Sequence, residues 1–233
     1  MDTNGNKYTI IYASVMVIVV AIFLAIAATQ LKPFQDANIM IETKQNILKS
    51  IHIHADSRQA NELFGKTIKE MFIVNSKGDK VAGDAFKVNL KIERSKPLDQ
   101  RRLPVYVAEM GDNGKIYIIP LRGAGLWGPI WGYISLFSDM NTIYGANFDH
   151  QGETPGLGAE INTDKFQKPF EGKTIFDKAG IFTSIIIAKS GEKGDPAHSV
   201  DAISGGTITS KGLQKMLYDD LAGYQEFFKN FKK

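Results

Sequence analysis

The stretch richest in reactive groups is Asp201-Ala202-Ile203-Ser204-Gly205-Gly206-Thr207-Ile208-Thr209-Ser210-Lys211. Two adjacent glycines let the backbone approach a ligand closely, because no Cβ stands in the way. Hydroxyls follow at 207, 209 and 210, just ahead of a run with helical spacing. Thr209 or Ser210 suits the N-cap position, where a side-chain oxygen takes a free backbone N–H. The start of a helix also carries unpaired N–H groups and the positive end of the helix dipole. It therefore favours an anion such as phosphate, and Lys211 adds positive charge. The same residues also describe a capped helix after a glycine turn, and they match no P-loop.

Two further segments stand out. Gly123 to Gly132 holds both tryptophans, Trp127 and Trp131, among glycines. An indole on such a backbone can stack on a flat ring system, although a packed β-arch has the same composition. His150-Gln151-Gly152-Glu153-Thr154-Pro155-Gly156-Leu157-Gly158 mixes polar groups with glycines and a proline, in a loop of the kind that carries binding groups on a rigid sheet. Glu153 and Asp201 would form an acid–base pair if they were adjacent. Nothing in the sequence brings them together, so hydrolysis is not inferred and no catalytic residue is assigned.

Composition narrows the chemistry. The chain has no cysteine, which removes disulfides, thiolate metal sites and cysteine-ligated iron–sulfur clusters. Its four histidines, His52, His54, His150 and His198, show no zinc-type spacing, so no metal site is expected. The net charge is +3 and the basic residues are scattered, with Arg101-Arg102 the single arginine pair. That pattern does not suit nucleic acid. No Gly-x-Gly-x-x-Gly fingerprint is present, so no nicotinamide site is expected. An electron carrier built on this chain would need an organic cofactor.

The elements that must position these residues begin with Tyr8 to Leu31, which contains no charged side chain. As a helix this stretch is long enough to span a hydrocarbon core of about 30 Å. Ala25-Ile26-Ala27 also fits a signal-peptide cleavage site, but the apolar run continues past it and the n-region holds only Lys7. Residues 34–64 read as helical. Phe86 to Glu93 alternates apolar and polar, the period of a half-buried strand. Hairpins are expected around Asp112-Asn113-Gly114 and Ser138-Asp139-Met140-Asn141, and a turn after Met71 to Val74. Thr163 to Phe170 reads as a short helix and Ile181 to Ala188 as a buried strand. Ser210 to Phe231 reads as one amphipathic helix whose apolar stripe packs the core. The fold class is α+β: one N-terminal transmembrane helix, residues 1–33, then a single soluble domain, residues 34–233, of mostly antiparallel strands with flanking helices.

Three motifs together resemble a known family. Asp201-x-x-Ser204-Gly205-Gly206-Thr207 resembles the pattern Asp-x-x-Ser/Thr-Gly-Ala-Thr/Ser that flavin transferases modify. Gly125-Leu126-Trp127-Gly128-Pro129 and Glu153-Thr154-Pro155-Gly156-Leu157-Gly158 are similar to the other hallmark segments of the C subunits of sodium-translocating NADH:quinone reductases. The resemblance covers nearly the whole chain. It implies FMN bound covalently by a phosphoester to Thr207, whose hydroxyl becomes the ester oxygen. Asp201 and Ser204 belong to the sequence the transferase reads, with Gly205, Gly206 and Thr209 in the same cofactor-binding stretch. Trp127 and Leu157 match positions beside the flavin ring, and Thr154 and Gly156 approach it from the same loop. Gly206 stands where alanine is usual, and its acceptance by the transferase is expected. The resemblance further implies a one-electron carrier in a sodium-pumping NADH:quinone reductase, a translocase. Electrons would pass from an iron–sulfur centre of the membrane subunits to the FMN of the B subunit. Other implied features are a multi-subunit membrane complex, a flavin transferase for maturation, and a single-pass location in the bacterial inner membrane with the domain on the periplasmic side. The alternatives are the equivalent G subunit of an Rnf ferredoxin:NAD oxidoreductase, or a cofactor-free membrane-anchored binding or assembly protein.

Overall fold

The computed structural model describes residues 5–189 and 194–231. The chain divides into two compact units at Thr43/Lys44. Helix α1 (Asn6–Lys49) runs 44 residues without a break and passes through Pro33. Its N-terminal part is long and apolar enough to cross a membrane, and Val17, Phe23 and Leu24 are among the large apolar side chains it leaves exposed. The helix thus extends well past the apolar run but stops short of the expected residue 64. Turns follow it at Ser50 to His52, and a separate helix α2 (Ala60–Thr67) comes after them.

The second unit is built on a six-stranded antiparallel sheet. Its strands are β1 (Ile68–Val74), β2 (Lys80–Val81), β3 (Leu103–Glu109), β4 (Lys115–Ala124), β5 (Pro129–Leu136) and β6 (Ile143–His150), in the order β2-β1-β3-β4-β5-β6. Three expected turns are present. Asn75 Oδ1 accepts the N–H groups of Lys77 and Asp79 between β1 and β2. Gly114 takes φ +66° between β3 and β4, a conformation open to a residue without Cβ. Asp139 Oδ1 accepts the N–H groups of Asn141 and Thr142 between β5 and β6.

Helices cover both faces of the sheet. On one face Ile47, Leu48 and Ile51 pack with Phe64 against Tyr106, Ala108, Ile116, Ile118 and Tyr133. On the other, α5 (Thr207–Gly223) and α6 (Gln225–Phe231) lay Leu213, Leu217, Leu221, Phe227 and Phe228 on Val105, Val107, Tyr117, Ile119 and Ile134. Burying each such side chain contributes about 1.5–3 kcal/mol. Because both faces are covered, β3 is buried at every position from Leu103 to Ala108 and shows no alternation. Pairing between β3 and β4 ends at Tyr106↔Ile118. Beyond that point Pro120 has no N–H to satisfy, and Asp220 Oδ2 takes the N–H of Arg122 at 2.7 Å.

Three expectations are corrected. Residues 86–93 are not a strand. Asp84 accepts the N–H of Phe86 to start a 3-10 turn, and Asn89 accepts those of Lys91 and Ile92 to start α3 (Leu90–Arg94). Side-chain capping overrides the period of two. The strand expected at 181–188 shrinks to β7 (Ile186–Ala188), which pairs in parallel with β8 (Ser199–Asp201). Asp177 turns the chain back through Ile181, and Ser184 adopts φ +57°, which breaks the extended run. The last helix is two helices. Its path breaks at Tyr224, whose buried hydroxyl donates to Pro104 O at 2.9 Å. The short helix expected at 163–170 is α4 (Asp164–Gln167), continued by a 3-10 turn to Phe170.

Candidate functional site

The ends of β4 and β5 are joined by a tight turn in which Gly125 N–H donates to Gly128 O at 2.8 Å. The turn pushes Leu126 and Trp127 outward, and Trp127 is 69% exposed. The exposed indole leaves a ring face free to stack on a flat group. Trp131 lies on β5 and is only half-exposed.

The 153–158 loop starts from a buried carboxylate. Glu153 is 4% exposed. Its Oε1 accepts the Trp127 N–H at 2.8 Å, and its Oε2 accepts the Thr209 hydroxyl at 2.5 Å. Its own N–H donates to His150 Nδ1 at 3.2 Å. The loop then closes on itself, with the N–H groups of Leu157 and Ala159 both reaching Thr154 O. Gly156 sits at φ +75° with its N–H on Glu160 Oε1. Leu157 is left 42% exposed, and it lies over the glycine pair. A Cβ on Gly205 would come within 2.6 Å of Leu157 Cδ2, and one on Gly206 within 3.4 Å of the Leu157 carbonyl carbon.

Helix α5 begins at Thr207, earlier than the expected Ser210. Neither Thr209 nor Ser210 caps it. The N-cap residue is Gly206, with no side-chain capping bond. Thr209 is turned toward Glu153, and the Ser210 hydroxyl accepts the Ile203 N–H at 3.2 Å. The helix therefore opens without a side-chain acceptor on its first amides, the arrangement that suits an exogenous anion. The Thr207 and Lys211 side chains are exposed there. Gly212 seats α5 on the stem of the arch, where a Cβ would run into Ala124 O. Further along, Asp220 joins α5 to Arg94 and to the Arg122 N–H, and burial pushes its carboxyl up to about 6 against the pull of those partners.

Trp127, Leu157, Gly205, Gly206 and Thr209 are thus brought together through Glu153 and Leu157. Thr154, Gly156 and Ser204 are exposed in the same loops, and Asp201 is exposed at the end of β8. Glu153 does not face Asp201. Its partners are a main-chain amide and a hydroxyl, so no acid–base pair forms. The sequence signalled the loop but not the burial of Glu153. One carboxylate among polar loop residues looks alike whether it faces water or the interior.

A ring-bearing phosphate fits this donor set. The helix start is uncapped and has an exposed hydroxyl on its first residue, the exposed Leu157 lies over the glycine pair before it, and the exposed Trp127 sits on a turn tied to the same helix through Glu153. Residues 125–222 match the FMN-binding domain family, a span that opens at the arch, contains the loop and closes within α5.

The C subunit of the Na(+)-translocating NADH-quinone reductase from Pseudomonas aeruginosa is 30% identical over 256 aligned positions, covering 100% of this chain and 98% of that protein. The corresponding C subunit from Vibrio anguillarum is 31% identical over 91% of this chain and 89% of its own length. Among solved structures, the C subunit from Parabacteroides distasonis is 47% identical with a TM-score of 0.79, over 85% of this chain and 96% of that one. NqrC of Shewanella oneidensis is 26% identical with a TM-score of 0.69, over 83% and 97%. The chain belongs to the family of C subunits of the Na(+)-translocating NADH-quinone reductases.

Proposed function

We propose that this chain is the covalent-FMN, one-electron-carrying subunit of a sodium-pumping NADH:quinone reductase, with the flavin joined through its phosphate to Thr207. The observation that carries the reading is the exposed Thr207 hydroxyl at the first position of a helix with no side-chain cap. When bound, FMN supplies the electron-transfer chemistry, and the protein supplies attachment, orientation and surroundings. The uncapped amides after Gly206 and the charge of Lys211 hold the phosphate. The Thr207 oxygen is an attachment atom, not a nucleophile in turnover. Trp127 and Leu157 border the ring, with Thr154 and Gly156 approaching from the same loop. Asp201 and Ser204 complete the sequence read by a flavin transferase, and Gly205 and Gly206 leave room for the attached group.

In this reading residues 1–33 are the anchor in the bacterial inner membrane, and residues 34–233 form a domain on the periplasmic side. The domain relays electrons from an iron–sulfur centre of neighbouring membrane subunits to the FMN of the B subunit. The tether keeps the carrier from being lost outside the cytoplasm. Sodium transport belongs to the whole complex, since a single span without charged residues offers no ion path.

Intact-protein mass spectrometry after co-expression with the flavin transferase, with peptide mapping across Thr207, tests the reading. The expected result is a mass gain of FMN less one water, located on Thr207. An unmodified chain, beside a transferase active on another substrate, refutes it.

A further inference from the structure

We infer that Glu153 is a positioning residue that locks the Trp127 arch to the first turn of the flavin-bearing helix, and that its charge helps set the flavin's potential. The inference rests on the Thr207 reading above for the flavin, but the tether itself is a property of the polypeptide. Each carboxylate oxygen takes one donor from a different segment: Oε1 the Trp127 N–H at 2.8 Å, Oε2 the Thr209 hydroxyl at 2.5 Å. Two donors on two oxygens are what an ionised carboxylate accepts. The residue's own N–H is held by His150 Nδ1 at 3.2 Å, so the tether's root is also fixed.

Two glycines make room for this carboxylate. A Cβ on Gly125 would run into Glu153 Oε1, and one on Gly158 would run into Oε2 and the Thr209 hydroxyl. A buried carboxylate is costly unless each oxygen is satisfied, and an apolar side chain would fill the same space more cheaply. What the carboxylate adds is direction. It ties a main-chain atom of the residue bearing the exposed indole to a side chain two positions beyond Thr207. The arch cannot swing away from the helix start without breaking a charge-assisted bond, and such bonds are the strong ones. The negative charge also lies beneath groups that border the flavin, where water is excluded and charges act strongly.

Two isosteric variants of the full-length, flavin-loaded protein in detergent test this. Thr209→Val removes one arm of the tether. Glu153→Gln keeps an oxygen for the Trp127 N–H and an amide for Thr209 but removes the charge. The readouts are hydrogen exchange at the Trp127 amide and the flavin midpoint potential. With Thr209→Val, exchange at Trp127 should accelerate about ten- to a hundredfold, the weight of one hydrogen bond to a charged acceptor. With Glu153→Gln, exchange should stay near the wild-type rate while the potential rises, because a negative charge opposing reduction has gone. Unchanged exchange in Thr209→Val together with an unchanged potential in Glu153→Gln overturns the inference. If Glu153→Gln does not fold, Thr209→Val decides alone by exchange. A wild-type chain that never acquires FMN would instead refute the Thr207 reading, and amide exchange would still judge the tether.

Discussion

Gly156 and Gly158 stand two residues apart in one loop, and the structure gives them opposite reasons for lacking a side chain. At Gly158 the backbone is unstrained, but a Cβ would press on Glu153 Oε2 and the Thr209 hydroxyl. Gly158→Ala must therefore break or stretch their 2.5 Å hydrogen bond, which has a charged acceptor and is worth about 1.5–3 kcal/mol. Crowding in a packed site adds about 1–3 kcal/mol. Alanine's stiffer unfolded chain returns about 0.4–1 kcal/mol. The expected net loss is about 2–5 kcal/mol. At Gly156 nothing lies within 4 Å of the added methyl, but φ is +75°. Gly156→Ala should cost the left-handed backbone penalty of about 1–2 kcal/mol less the same unfolded-chain gain, a net of about 0–1.5 kcal/mol. Urea unfolding of the detergent-solubilised chain, followed by tryptophan fluorescence, measures both. The midpoint should fall with unchanged m-value, further for Gly158→Ala than for Gly156→Ala. A Gly158→Ala protein within about 0.5 kcal/mol of wild type, or less damaged than Gly156→Ala, would refute the crowded-carboxylate account.

Other outcomes follow from the same contacts. Thr207→Ala should abolish covalent flavin and leave the far-ultraviolet spectrum and melting intact, because the side chain is exposed and caps nothing; peptide mapping that still finds flavin elsewhere in the chain would move the attachment site. Gly206→Ala should cost about 1–3 kcal/mol, since φ is −101° but a Cβ would meet Ile203 Cγ2 at 2.9 Å and Ile203 Cβ at 3.1 Å, branch atoms of a side chain packed on the core; mass spectrometry should find the folded variant still modified. The Glu93 carboxyl is held below its usual 4.5: desolvation pushes it up, but hydrogen bonds from Lys96 and the Arg102 N–H outweigh that push. Its contribution is present above about 4.5 and fades as pH falls through the lowered value. Glu93→Gln should be the less stable protein at neutral pH, with the gap closing on acidification in parallel melts.

Much of the architecture could be read from local chemistry. Asn75, Asp139 and the Asp112-Asn113-Gly114 turn declare themselves because each supplies its own geometry, independent of what packs around it. The membrane helix is legible for a similar reason, since no residue of the run carries a charge. The failures lie where two local signals compete or where tertiary contact decides. Alternation at 86–93 suggested a strand, but Asp84 and Asn89 bind the next amides and wind the chain. The largely apolar run at 181–188 suggested a strand of full length, and the turn at Asp177 and the left-handed Ser184 cut it short. At the candidate site the three segments were legible as segments. Their convergence was not, because it depends on Glu153 reaching residues 26 positions before it and 56 after it. The hydroxyls at 209 and 210 suggested caps, but both are committed to contacts that only the folded domain creates.

The final turn of α1 carries Ile47 and Leu48 into the core beneath β3, β4 and β5. These residues leave the ribosome before any of the strands they pack against, and their nearest sheet partner in that layer, Ile68, belongs to the strand at the far side of β3. The apolar end of the helix gains its full cover only when the central hairpins are made and delivered. Pairings of such sequence separation are slow to form, since loop closure precedes any gain from contact. The site lies on the opposite face of the sheet, where α5 packs, so under the Thr207 proposal a flavin transferase meets either a finished domain or a tail still free to be grasped. Pulse labelling of flavin incorporation against protease resistance separates those two schedules.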